Sequence, residues 1–142
     1  MVEDKVGPKE YLGIKINYDN EKRLDKFSLD TLRDRYLWEK WNEQGELEIK
    51  ETHAQEAFAR ASVFGATYKG HTDFELAQRL YEYSSKCWFM FSTPILSNGG
   101  TSRGLPISCF LNYVPDSRIG LSAHYDENIW LASSGGGIGG YW

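Results

Sequence analysis

The stretch FSTPILSNGGTSRGLPISCF, residues 91–110, limits what this chain can fold into more than any other. Thr-Pro, Asn-Gly-Gly and Gly-Leu-Pro follow one another closely, and turn formers at that density predict no regular helix between Ser92 and Pro106. Thr93 directly precedes Pro94, which biases it to extended backbone and leaves its hydroxyl and amide outside any helical ladder. Two turns therefore deliver a single cysteine, Cys109, to the head of an apolar run. That run, Ile107 to Val114 (ISCFLNYV), reads as a short buried strand. Before residue 90 charge and helical periodicity dominate, and after it come glycine, serine and short apolar runs.

The opening to about Asn20 reads as extended and peripheral. Ser28 is placed to cap a helix through LDTLRDRYLWEKW, with Leu29, Leu32, Tyr36 and Trp41 approximating one stripe. A turn at QGE follows. Thr52-His53-Ala54-Gln55 has the form of a capping box, and Ala57, Phe58, Ala61 and Phe64 give a buried face ending at Gly65. Thr72-Asp73-Phe74-Glu75 is a second such box, opening a helix whose inner side carries Phe74, Ala77, Leu80, Tyr81, Ser84, Cys87 and Trp88. On this reading Cys87 is a core residue. Pro115-Asp116-Ser117 makes a turn, and Asp116 or Ser117 caps a helix with Leu121, Tyr125, Asn128, Ile129 and Ala132. That helix ends in GGGIGG, residues 135–140.

Several function classes are excluded by composition. A formal net charge of −4 argues against a binder of nucleic-acid backbones, which concentrates Lys and Arg on one face. No run of eighteen apolar residues exists, so no membrane span is expected. MVEDKVGPKE mixes charges and does not read as a secretory signal, so a cytoplasmic location is expected. The two cysteines form no CxxC, and His53, His71 and His124 are scattered, so no metal site is expected. A structural disulfide is not expected either.

Three features could carry chemistry. GGGIGG lacks a following Lys-Ser or Lys-Thr and comes after a helix, which fits neither a phosphate loop nor a dinucleotide fingerprint. Close packing of glycine backbone and contact with a ligand are equal readings there. Asp116-Ser117 reads first as a helix cap, although a helix amino terminus also favours phosphate. Cys109 is either a small buried hydrophobe or, at a strand end beside loops, a nucleophile or one half of a redox pair. One strand and one helix after residue 90 are too little to close a sheet. The piece is expected to pair with another chain or to be the amino-terminal part of something longer.

STPILSNGGTSRGLPISCFLN, then Pro115-Asp116-Ser117, then GGGIG at 135–139, closely resemble the large catalytic subunit of ribonucleotide reductase. The resemblance is close from Phe89 to Trp142 and compatible over residues 20–88. It implies a mainly α chain: an extended segment over 1–20, a helical domain over 21–90, and over 91–142 the first strand and helix of an incomplete ten-stranded α/β barrel. It also implies a role in radical-based reduction of ribonucleotides to deoxyribonucleotides for DNA synthesis. Cys109 matches the redox-active cysteine that supplies reducing equivalents, its partner absent from this chain. Thr93 and Ser108 match residues near the substrate's diphosphate and ribose, and Gly136 and Gly137 a turn over which substrate lies close to backbone. Asp116, Ser117 and Arg118 match the start of an effector site for a deoxynucleoside triphosphate, Arg118 being a less typical third residue.

The same resemblance implies what the chain lacks: the loop with the radical-forming cysteine, the mate of Cys109, and an amino-terminal ATP-binding cone. No cofactor is expected on this chain. The complete enzyme implies a radical source, either a metal-containing small subunit or adenosylcobalamin, with thioredoxin or glutaredoxin as reductant. Implied partners are a carboxy-terminal reductase fragment in trans, the small subunit if the enzyme is class I, a ribonucleoside diphosphate and the effector; no membrane or nucleic acid is implied. The chain alone is expected to be inactive, as the front piece of a split or truncated gene. The alternatives are a non-catalytic fragment that binds nucleotide or a subunit without turnover, and an inert product.

Overall fold

A computed structural model describes residues 6–142, which divide into two compact units between Arg103 and Gly104. The first runs β1 (Pro8–Tyr11), β2 (Ile14–Asn17), a 3-10 turn (Tyr18–Arg23), α1 (Lys26–Arg35), β3 (Glu39–Trp41), β4 (Leu47–Lys50), α2 (Ala54–Gly65), β5 (Thr67–Tyr68), β6 (His71–Thr72), α3 (Phe74–Ser85) and α4 (Thr93–Asn98). The second runs β7 (Cys109–Tyr113), α5 (Arg118–Ser133) and β8 (Gly137–Tyr141). Among the described residues no helix is long and apolar enough to cross a membrane.

The first unit is assembled around α2. Every side chain from Ala54 to Ser62 is buried, so the helix has no solvent face over that span. Ala54, Ala57, Ala59, Ala61 and Ser62 keep it thin enough for α1, α3, α4, β2 and the 3-10 turn to pack around it. Phe58 fills the centre, with Ile14, Ile16, Leu32, Ala77, Tyr81 and Leu96 in the same cluster. A helix enclosed on all sides must satisfy its polar side chains internally. Glu56 accepts from the Tyr18 hydroxyl at 2.7 Å, and Gln55 from the Tyr81 hydroxyl at 2.8 Å. Burial, with the neighbouring Glu51 and Glu56 carboxylates, pushes the Tyr11 hydroxyl well above the ordinary tyrosine range. Burial and the bond to Glu56 do the same to Tyr18.

Three short antiparallel hairpins decorate this helical unit, β1–β2, β3–β4 and β5–β6. The first overturns the expectation of a peripheral opening. Its register puts Ile14 and Ile16 on one face, and both are buried with Tyr18 beyond them.

The capping expectations hold to within a residue or three. α1 is capped by Asp25, whose side chain accepts from the Ser28 amide at 2.7 Å, so Ser28 lies inside the helix. Those Ser28 bonds hold the Asp25 carboxyl below its usual range. α1 stops at Arg35, and LWEKW leads into β3 instead of continuing as helix. Tertiary bonds claim that backbone: the Tyr36 carbonyl accepts from Arg60 at 3.1 Å, and the Trp38 amide donates to Glu51 at 2.9 Å. α2 is capped at His53, whose amide donates to Glu56 at 3.2 Å, and ends at Gly65 as its sequence indicates. α3 is capped at Asp73, which accepts from the Leu76 amide at 3.0 Å.

Two further expectations fail. α4 is a helix where the Gly and Pro content argued against one, and Thr93 is helical, not extended. Proline costs little in a first turn, because the amide it removes would be unpaired there in any case. Cys87 is exposed, not a core residue. α3 closes on a Schellman turn: the Cys87 amide donates to the Ser84 carbonyl at 3.0 Å and the Trp88 amide to the Tyr83 carbonyl at 2.9 Å. The Tyr83 and Trp88 rings meet at 6.0 Å, the apolar contact that accompanies this motif. Cys87 therefore sits at φ 61, a position usually filled by glycine.

That backbone generates a prediction. A non-glycine residue in the left-handed region carries about 1–2 kcal/mol of strain. Cys87→Gly is expected to raise the free energy of unfolding by about 1 kcal/mol, and Cys87→Ala to leave it unchanged, as read by urea denaturation.

Candidate functional site

The second unit is a strand–helix–strand turn in which β7 and β8 pair in parallel, Cys109 opposite Gly137 and Tyr113 opposite Tyr141. Alternation along β7 turns Phe110 and Asn112 inward and leaves Cys109, Leu111 and Tyr113 exposed. Cys109 thus stands on an open face of a two-stranded sheet, beside Leu111 at 90% exposure. Its sulfur lies 4.0 Å from the hydroxyl of half-buried Ser108. The Ser108 carbonyl accepts from the Gly137 amide at 2.7 Å, so the cysteine and the glycine run are tied at the head of the sheet.

Each glycine of the run has a distinct task. Gly135, at φ 81, closes α5 with the same Schellman geometry that Cys87 gives α3. The Gly135 amide donates to Ala132 at 2.9 Å and the Gly136 amide to Leu131 at 3.3 Å. Gly136 lies against the Phe110 ring so closely that a Cβ there would fall 2.1 Å from the ring edge. Gly137 is exposed, and a Cβ on it would meet only the Ser108 carbonyl, at 3.6 Å. The last four residues of GGGIGG are strand, so β7 has the partner that its sequence alone did not reveal.

Asp116, Ser117 and Arg118 lie exposed at the start of α5. Ser117 is the cap, its hydroxyl accepting from the Gly120 amide at 3.0 Å. Asp116 precedes the cap and Arg118 opens the helix. Thr93 belongs to the first unit, at the start of α4. Its hydroxyl lies 3.3 Å from that of Tyr36, at the edge of a largely apolar cavity of about 270 Å³ lined by Leu24, Phe27, Leu32, Phe91 and Leu96. The candidate residues thus form two sets: Thr93 in one unit, and Ser108, Cys109, Gly136, Gly137 and the start of α5 in the other.

Comparison with known proteins identifies the family of the chain as a whole. Residues 22–104 match the family described as "Ribonucleotide reductase, all-alpha domain". The chain belongs to the ribonucleotide reductase large-subunit family. It is 37% identical over 124 residues to the ribonucleoside-diphosphate reductase large subunit of Invertebrate iridescent virus 6, covering 87% of this chain and 11% of that protein. It is 53% identical over 68 residues to a putative large subunit of Frog virus 3, covering 48% of this chain and 12% of that one. Among solved structures it resembles the Actinobacillus ureae class Id ribonucleotide reductase alpha subunit, with a TM-score of 0.58 and 29% identity over 83% of this chain and 20% of that one. The chain therefore spans between 11% and 20% of the length of these relatives, and corresponds to the amino-terminal part of a reductase large subunit.

Two features of this reductase chain escaped sequence reasoning. The first is Arg60, whose guanidinium is buried and meets both oxygens of the Glu51 carboxylate, at 2.7 and 3.1 Å. It also donates to the carbonyls of Leu96 at 3.1 Å and Gly99 at 2.7 Å. The available signal was an arginine inside the alanine-rich, otherwise inward-facing run AFARAS. The second is a polar bridge from β7 to α5: Asn112 donates to Asn128 at 3.0 Å, and Asn128 lies 2.9 Å from His124 Nε2. The i, i+4 spacing of His124 and Asn128 was its signal. Among the described residues no group of three or more His, Cys, Asp or Glu side chains is placed to hold a metal ion.

Gly136 is the most constrained position in this reductase segment. Gly136→Ala is expected to destabilise the chain by about 1–3 kcal/mol through overpacking against Phe110. Gly137→Ala, whose Cβ would make only an ordinary contact with the Ser108 carbonyl, is expected to cost less than half as much by chemical denaturation.

Proposed function

We propose that this chain supplies the amino-terminal part of a ribonucleoside-diphosphate reductase catalytic subunit, and that Cys109 is one of the two thiols that reduce the substrate. Residues 21–90 are its helical domain, and the catalytic α/β barrel starts within 91–142. The observation that carries the reading is the position of Cys109: exposed, at the head of a parallel strand, opposite Gly137 on a sheet face that nothing in its own unit covers. Parallel sheets occur with both faces covered. Leu111, Tyr113 and Tyr141 on this sheet, at 90%, 62% and 73% exposure, fit a surface completed by further barrel strands.

The chemistry balances with two thiols. Replacing the ribose 2′-hydroxyl by hydrogen breaks one C–O bond, releases water and consumes two electrons and two protons. Cys109 and a second cysteine, contributed by a carboxy-terminal reductase polypeptide, lose those equivalents and join as a disulfide. A dithiol protein of the thioredoxin or glutaredoxin class restores both thiols. The radical that starts the reaction is generated outside this chain, by a metal-containing small subunit in a class I enzyme or by adenosylcobalamin in class II.

Substrate and effector contacts follow the same reading. Thr93 and Ser108 offer hydroxyls to the diphosphate and ribose, and Gly136 and Gly137 let the nucleotide approach backbone. Asp116, Ser117 and Arg118 open a site for a deoxynucleoside triphosphate effector, where the unshielded first turn of α5 favours phosphate.

Complementation tests the proposal. The chain is expected to copurify with a polypeptide carrying the remaining barrel, and the assembly to reduce a ribonucleoside diphosphate. Cys109→Ser is expected to lower turnover at least about a thousandfold, the effect of removing a reacting group, and Cys87→Ser to leave it unchanged. Retained turnover in Cys109→Ser removes the assigned role. A chain that binds nucleotide or a subunit, yet supports no reduction in any assembly, is a binding fragment and not an enzyme component.

A further inference from the structure

Arg60 links two segments that are distant in sequence and meet at Thr93. One guanidinium donates to the Tyr36 carbonyl, where α1 ends, and to the Leu96 and Gly99 carbonyls, where α4 ends. Glu51 holds the guanidinium plane with both oxygens, and its Oε2 also accepts from the Trp38 amide at 2.9 Å. Arginine suits this task because its donors leave a rigid plane in fixed directions, whereas a lysine ammonium is a single flexible point. Arg60 and Glu51 are buried, so water does not compete for these bonds. The clasp therefore sets the spacing between Tyr36 and α4, and with it the 3.3 Å separation of the Tyr36 and Thr93 hydroxyls.

From this geometry we infer that Tyr36 is a positioning residue that aims the Thr93 hydroxyl at a phosphate of the substrate, with Arg60 and Glu51 fixing Tyr36 in place. The inference rests on the proposed contact between Thr93 and the substrate's diphosphate. Phosphate oxygens at neutral pH chiefly accept hydrogen bonds, so a threonine that contacts one must donate outward. Its oxygen can then accept from the Tyr36 hydroxyl, an arrangement the 3.3 Å separation allows. Without that donor the Thr93 hydroxyl is a free rotor that must be ordered at each binding event. The Tyr36 side chain is half-buried and its hydroxyl lies at the edge of the apolar cavity, so removing one oxygen leaves the packing of the ring intact.

A double-mutant cycle in the assembled reductase tests this directly. Tyr36→Phe is expected to raise KM for the ribonucleoside diphosphate about three- to tenfold with kcat unchanged, the range of one hydrogen bond. Thr93→Val is expected to raise KM at least as much, and the double variant no further than Thr93→Val alone. An unchanged KM in Tyr36→Phe, or additive effects in the double variant, overturns the inference while leaving the Thr93 contact standing. No effect of Thr93→Val overturns both. A second measurement needs no turnover: hydrogen exchange on the chain itself with Arg60→Lys. Amides of α4 and of Gly99 are expected to exchange at least about tenfold faster, with α3 amides unchanged. Unaltered exchange at α4 shows that Arg60 does not hold Thr93 in place and overturns the clasp.

Discussion

Arg60 and Glu51 form a buried ion pair inside the helical unit, and from it Arg60 reaches the ends of both α1 and α4. Two charges withdrawn from water carry a large desolvation cost, which mutual attraction offsets only when geometry is good and the remaining donors find acceptors. Both conditions are met here. The carboxylate is engaged twice by the guanidinium, and three backbone carbonyls take up the other donors. Such a pair contributes little net stability compared with an apolar pair of the same volume, yet removing one partner costs about 3–5 kcal/mol, because the other charge is left buried alone. Its value is specificity of arrangement. A hydrophobic contact would tolerate a shift of α4 by an ångström or so, and three directional bonds to carbonyls do not.

This explains why the irregular segment after α3 is ordered. Residues 86–103 contain one short helix and several turns. Arg60 holds the end of α4 from the inside, and the Arg103 guanidinium donates to the carbonyls of Arg35 and Leu37 from the outside. Gly99 is close enough to Phe64 that a Cβ would fall 2.7 Å from its ring. The reductase segment bearing Thr93 is therefore placed by contacts with the end of α1, the residues just after it, and α2, which lie some thirty-five to seventy positions earlier in the chain.

That long range is also what made parts of the molecule hard to read from sequence. The helices at 54–65 and 74–85 were legible, because their caps and periodic faces are local and strong. α5 was legible for the same reason, from Ser117 to the glycine run. α4 was not: Pro94 and Gly99 are strong local breakers, and the bonds that favour the helix come from Arg60. Cys87 was misplaced because helical periodicity assigns it an inward position, whereas the turn that ends α3 carries it into the left-handed region. β8 was hidden because glycine has low strand propensity, and here it pairs only because Cys109 to Tyr113 offers a parallel template. Family membership was legible from the motifs around Thr93, Cys109 and the glycines, which are compact in sequence.

The proposed chemistry concentrates in the second unit, where the strand pair presents its open face. Cys109, Leu111 and Tyr113 point away from the side on which Phe110 and Asn112 pack, and the sheet edges have no further strands in this chain among the described residues. The account predicts that this face is completed by another part of the reductase, which brings a second sulfur to Cys109. The most direct measurement is disulfide mapping after a single turnover of the assembled enzyme without external reductant. Cys109 should be recovered joined to a cysteine of the other polypeptide, with Cys87 still a thiol. Recovery of Cys109 as an unmodified thiol after product has formed would contradict the account.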